Sequence, residues 1–147
     1  MQIINTPNIE QARKEIKSSK EKPIIVQAQD DNFNRKILEY GKFQILLSPE
    51  AGKRKNSLRQ IDSGLNHVLA KIATKNNIAI GINLNEIKSL QKKEKAERLA
   101  KIAQNIKLCR KAKTKITLIS AKNKRESASF LTSLGASTQQ IKETTKS

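Results

Sequence analysis

At 147 residues the chain is about one domain long, and with 36% apolar and only 3% aromatic residues its core must be built from Ile, Leu, Val and Ala. Lys and Arg number 30 against 13 acids, and the resulting net charge of +17 attracts polyanions, so nucleic acid is the expected partner. The short apolar runs fall far below the ~20 residues of a membrane span, MQIINTPN has no basic stretch leading into an apolar one, and one cysteine with one histidine supplies neither an internal disulfide nor a tetrahedral zinc site, so a cytoplasmic protein without metal, cofactor or membrane contact is expected.

Short strand-like runs alternate with helical patterns along the whole chain, the signature of a mainly parallel sheet covered by helices. In chain order the strands are expected at residues 1–4, 23–28, 43–47, 78–84 and 115–120, and the helices at about 9–18, 32–40, 63–76, 92–113 and 127–134. Gly41 and Gly135 stand where helix C-caps belong, and Pro23 and Pro49 punctuate strands. Asp30 and Asp31 before Asn32 read as a βα turn with an N-cap. The third helix should start at Asp62 or Ser63 and turn Leu65, Val68, Leu69, Ile72 and Ala73 to the sheet. The long fourth helix repeats this stripe through Ala96, Leu99, Ile102, Ala103, Ile106 and Cys109, which makes Cys109 a small core residue rather than a nucleophile. EAGKRKNSLRQ, residues 50–60, has four basic residues and no apolar period, as suits a binding loop. Residues 1–136 thus form one βα-repeat RNA-binding domain, and 137–147 a polar, frayed C-terminal tail.

Hydrolases of this architecture gather catalytic groups at the C-terminal ends of their strands. The polar residues there are Asp30, Asp31, Ser48, Asn83, Asn85, Ser120 and Lys122, two adjacent aspartates with no histidine among them, which is too little for a metal-dependent phosphoesterase. No catalytic residue and no metal ligand is expected. His67 lies away from the apolar stripe, toward solvent or RNA.

Charge carries more. Between Lys88 and Lys115 there are eleven basic residues and two acids, Glu94 and Glu97, too unbalanced for i,i+4 pairing to neutralise. A loop group, Lys53, Arg54, Lys55 and Arg59, and a third group, Lys122, Lys124 and Arg125, extend the basic surface. With His67, Lys92 and Lys93 these are the candidate RNA-binding residues. The sparse aromatics Phe33, Tyr40, Phe43 and Phe130 argue against a single-strand stacking platform and for structured RNA recognised through backbone and shape.

FQILLSP (43–49), DSGLNHVLAKIA (62–73), NNIAIGINL, ERLAKIAQNIKLCRKAKTKI, TLISAK and KRESASFLTSLGAS together resemble the archaeal ribonuclease P protein component 3 family, over about residues 23–136. The eukaryotic counterpart of that family is the thirty-kilodalton subunit of the same enzyme. The most specific element is SGLNHVLAKIA, since a helix stripe alone does not require Ser63, Gly64, Asn66 and His67. Gln44, Gly81 and Lys122 depart from the family pattern, the first two standing where it is acidic. The resemblance implies a TIM-barrel-like fold and a non-catalytic role in removing 5′ leaders from precursor tRNA. It also implies ribonuclease P RNA and a small ferredoxin-like protein subunit as partners, precursor tRNA as an indirect one, and catalytic Mg²⁺ that belongs to the RNA. An eight-stranded barrel takes roughly 250 residues. About five βα units therefore predict an α/β fold that is a partial TIM-barrel-like (βα)n arrangement with parallel strands, open or incompletely closed. A generic basic RNA-binding protein, ribosomal or chaperone-like, is the alternative that composition alone supports, and a degenerate phosphoesterase the more distant one.

Overall fold

The five apolar runs do form strands, each shorter than its run: β1 (Ile3–Ile4), β2 (Ile25–Gln27), β3 (Ile45–Leu47), β4 (Ala79–Asn83) and β5 (Ile116–Ile119). The computed structural model describes residues 2–52, 54, 56 and 61–146. All four strand pairings are parallel and the order is β1-β2-β3-β4-β5, with Ile3 opposite Ile25, Ile25 opposite Ile45, Ile45 opposite Ala79 and Ile80 opposite Ile116. Strands that follow one another in both sequence and space place right-handed crossovers on one side of the sheet. The result is an open stretch of a (βα)n barrel, with β1 and β5 as its edges.

The helices are α1 (Ile9–Ser18), α2 (Asp31–Tyr40), α3 (His67–Lys75), α4 (Leu84–Lys88), α5 (Lys92–Ala112), α6 (Lys124–Ser133) and α7 (Thr138–Thr145). Six of them begin behind a side-chain cap, Asn8, Asp30, Asn66, Asn83, Asn123 and Ser137, whose oxygen takes a backbone N–H of the first turn. Their inner faces meet alternate strand residues in the main core: Ala12 and Ile16, Ile37 and Leu38, Leu69, Ala70 and Ala73, Ile102, Ile106 and Cys109, and Leu131 gather on Val26, Leu46, Ile80, Ile82 and Ile116. The other alternating set, Ile25, Leu47 and Ile119 with Ile45, forms a small separate cluster on the opposite face. Gly81 stands on that second face. A Cβ there would come within 2.7 Å of Ile45 Cγ2 and 3.1 Å of Leu47 Cδ1, so the crowding of β3 against β4 requires the glycine where the family pattern is acidic. Gln44 acts locally, its Oε1 accepting the backbone N–H of Ile24 at 2.6 Å and so closing the start of β2 onto β3.

Several expectations need correction. The third helix starts at His67, not at Asp62 or Ser63, because Asn66 is the residue that caps it. That shift rotates the stripe: Val68 is 50% exposed, and Leu69, Ala70 and Ala73 carry the buried face. The frayed tail is instead α7, held by a capping box at Ser137, by Gln140 donating from a buried position to Ile106 O, and by the Thr144 hydroxyl donating to Ile116 O. Its polar residues satisfy main-chain carbonyls of α5 and β5, which is why its hydropathy misled. Leu84 leaves the strand to open the short α4, and Ala96 is exposed on α5. Cys109 lies in the core as expected, and burial pushes its thiol up to about 12 against a hydrogen bond from Thr114.

Candidate nucleic-acid interface

In a parallel βα fold the strand C-termini and helix N-termini share one end, and there the chain leaves β3 through Ser48 and Pro49 into the basic loop. Glu50, the first loop residue, is almost wholly buried. Arg98 of α5 reaches it, with Nε 2.8 Å from Glu50 Oε2 and Nη2 2.8 Å from Glu86 Oε1. Burial pushes the Glu50 carboxyl above the usual carboxylate range even though Arg98 pulls it down. Burial also works against the charge on Arg98, but Glu50 and Glu86 outweigh it and hold the guanidinium above its ordinary value.

Arg54 is not the free loop cation expected from the sequence. Its side chain is 8% exposed and forms two ion pairs from Nη1, to Asp31 at 2.6 Å and to Asp62 at 3.1 Å. Nε donates to Pro49 O at 2.9 Å and Nη2 to Gln29 O at 3.1 Å. The guanidinium therefore ties the βα turn after β2 to the loop after β3, a planar five-donor group engaged by carboxylates and carbonyls. Lys101 Nζ donates to Arg54 O at 3.2 Å.

The family element 62–67 closes the same knot. Asp62 Oδ1 accepts the N–H of Gly64, and Gly64 sits at φ +76 with its α-carbon against Pro49, where a Cβ would fall 1.7 Å from Pro49 O. No side chain fits in that space. Ser63 is buried, its carbonyl taken by Asn105 Nδ2 at 3.0 Å and its hydroxyl by Gln104 Nε2 at 2.9 Å. Asn66 caps α3 through the N–H of Leu69. Ser63, Gly64 and Asn66 thus hold a turn in place, and His67, exposed like Asn66, stands at the first position of α3.

The other candidates divide by position. Lys92 and Lys93 open α5, Lys124 and Arg125 open α6, and Lys122 lies in the turn after β5; all five are exposed at the same end of the sheet as the loop. Lys53, Lys55 and Arg59 lie outside the described residues. Among the described residues this end also collects carboxylates. One cleft of about 570 Å³ includes Asp30, Asp31, Asp62 and Arg54 in its wall, and a second of about 210 Å³ includes Glu50, Glu94, Glu97 and Arg98. Lys88 is paired with Glu126 at 2.8 Å, and that bond draws the Glu126 carboxyl below its usual range. No group of three or more His, Cys, Asp or Glu among the described residues can hold a metal ion. No helix among them is long and apolar enough to cross a membrane.

Sequence reasoning missed Glu50, Arg98, Gln104 and Asn105. A signal for the α5 residues existed: Arg98, Lys101 and Asn105 follow one another at i, i+3 and i+7, a polar stripe beside the apolar one, and its polar heads face the loop rather than solvent. Glu50 showed only as a lone acid ahead of a basic run.

Comparison with known proteins reports the same relationship in sequence and in fold. No family model matches the chain. Ribonuclease P protein component 3 of Methanococcus maripaludis strain S2 is 28% identical over 122 residues, 82% of this chain and 50% of that protein. The proteins of the same name from Methanococcus vannielii and Methanocaldococcus jannaschii are each 30% identical, over 68% and 74% of this chain and 40% and 44% of their own lengths. A chain in a cryo-EM structure of archaeal ribonuclease P with mature tRNA superposes with a TM-score of 0.79 and 26% identity, covering 96% of this chain and 62% of that one. The chain spans about half the length of the curated relatives it matches.

Proposed function

We propose that this chain, a relative of ribonuclease P protein component 3 in both sequence and fold, is a non-catalytic RNA-binding subunit that supports the RNA-catalysed removal of the 5′ leader from precursor tRNA. The observation that carries the reading is the likeness to a chain of archaeal ribonuclease P over 96% of the present chain. The net charge of +17 fits an RNA partner. At the strand C-terminal end Asp31, Asp62, Glu50 and Glu86 are engaged by Arg54 and Arg98, and Asp30 caps α2. That arrangement supports a scaffold over a hydrolase.

In this reading the exposed cations of that end, Lys92, Lys93, Lys122, Lys124 and Arg125, together with Lys53, Lys55 and Arg59, approach RNA phosphates, and His67 stands beside them. The catalytic Mg²⁺ belongs to the RNA, and a small ferredoxin-like protein subunit is the protein partner. Reconstitution tests the proposal. The chain alone should leave precursor tRNA uncut, whereas adding it with the ferredoxin-like subunit to ribonuclease P RNA should lower the Mg²⁺ needed for cleavage, because basic side chains screen phosphates that otherwise need free cations. RNA-free, metal-dependent cleavage lost on Asp31→Asn would overturn the assignment, as would an unchanged Mg²⁺ requirement.

A further inference from the structure

We infer that the heavier contact with RNA phosphates lies at the opposite end of the sheet, on a row of lysines at the strand N-termini; this rests on the RNA-binding reading above. Lys20 and Lys22 precede β2, Lys42 precedes β3, Lys75 ends α3 ahead of β4, and Lys113 and Lys115 precede β5. All six are exposed. Strands lie about 4.8 Å apart, so four neighbouring strands set these lysines along an edge of roughly 15 Å, each strand supplying at least one.

Three observations separate this row from the other end. First, none of its six cations is in an ion pair among the described residues, whereas the far end mixes paired cations, Arg54, Lys88 and Arg98, with exposed unpaired ones, Lys92, Lys93, Lys122, Lys124 and Arg125. Lys42 Nζ lies 5.4 Å from the centre of the Tyr40 ring, and the residue is exposed. Of the acids on the helix ends and loops around the row, Glu15, Glu21, Glu39 and Glu143, Glu39 is taken by Arg35 and Glu143 accepts a hydrogen bond from Gln139. Second, local stability does not explain the choice of residue. Cations after a helix C-terminus gain a little from the helix dipole, yet Lys42 and Lys113 occupy left-handed backbone at φ 62, where glycine would be the less strained residue. Third, the row runs into a groove of about 460 Å³ between the end of α5, β5 and α7, lined by Arg110, Lys113 and Lys115 together with Gln139, Gln140 and Glu143. Three cations around one groove suit a phosphate backbone recognised through charge and shape.

The test compares two full-length variants of equal charge. One carries Lys22→Gln, Lys42→Gln, Lys113→Gln and Lys115→Gln; the other carries Lys92→Gln, Lys93→Gln, Lys122→Gln and Lys124→Gln. Both lose the same net charge, so the overall field falls equally and only position differs. The probe is in vitro transcribed ribonuclease P RNA of Methanococcus maripaludis, with affinity measured across a salt series. Each lost phosphate contact lowers the slope of log K against log salt by about 0.7–0.9. The first variant should lose about 3 from the slope and at least about tenfold in affinity at moderate salt, the second distinctly less. As a readout that needs no variant, lysine acetylation of the wild-type complex should find Lys22, Lys42, Lys75, Lys113 and Lys115 more strongly protected than Lys92 and Lys93. Equal losses from the two variants, or an unprotected row in a complex that does form, overturn the inference and leave the RNA-binding reading standing. A wild-type protein that binds this RNA with no salt dependence overturns that reading, and the inference with it.

Discussion

The two ends of the sheet use their cations differently. At the strand C-terminal end Arg54 and Arg98 are turned inward onto Asp31, Asp62, Glu50 and Glu86, and Lys101 is held by a main-chain carbonyl, while Lys92, Lys93, Lys122, Lys124 and Arg125 stay exposed. At the N-terminal end Lys20, Lys22, Lys42, Lys75, Lys113 and Lys115 extend into water. A charge committed to a buried carboxylate offsets its own desolvation and has little left for a ligand, while an exposed lysine can exchange condensed counterions of RNA for itself. The availability of charge, not its density along the chain, distinguishes a structural cation from a binding one.

If the C-terminal end is structural, its arginines must matter to stability. Arg98→Ala, which strands the buried Glu50 carboxylate, should cost about 3–5 kcal/mol in denaturant unfolding; a loss below about 1 kcal/mol would mean that the pair is an ordinary surface contact. Gly64→Ala should follow at about 2–4 kcal/mol, since the methyl group overlaps Pro49 O and the residue stays in left-handed backbone. A neutral result would show that the knot opens without consequence. Arg54→Ala removes hydrogen bonds to two carboxylates and two carbonyls and should cost about 1–3 kcal/mol.

The Glu50 carboxyl sharpens the same contrast through pH. Its native value lies above the ordinary 4.5, so the native state holds that proton more tightly than the unfolded chain does. The contribution of this group to stability is full below pH 4.5 and declines as pH rises through the native value. The stability of the wild type relative to Glu50→Gln, followed by unfolding at several pH values, should therefore fall as pH climbs from 4.5; a difference that grows instead would show pairing with Arg98 prevailing over burial. The smallest effect belongs to the other end. Lys113→Gly should raise stability by about 0.5–1 kcal/mol by relieving the left-handed lysine and should at the same time weaken RNA binding. A variant that is less stable would place Lys113 among the structural residues.

The strands and most helices were legible because period and punctuation are local: IIV, ILL and IAIGINL announce buried strands, and Asp30 announces a cap. The resemblance carried by DSGLNHVLAKIA also stood in the sequence, although the role of those residues did not. Gly64 reads as a helix residue until Pro49, fifteen positions earlier, is seen to occupy the space of its missing side chain. Arg54 reads as an RNA contact until Asp31 and Asp62 are found around it.

By itself the sequence determined the class of fold, the run of five parallel strands, the hydrophobic faces and the excess of positive charge, all of which depend on the order of neighbouring residues and on sums over the chain. Only the tertiary structure decided which of those charges are free. Pairing links residues as far apart as Glu50 and Arg98 through the crossing of a loop and a helix, and no local period encodes that distance. The same holds for α7, whose polar side chains are anchored by carbonyls of α5 and β5 that come within reach once the sheet has formed.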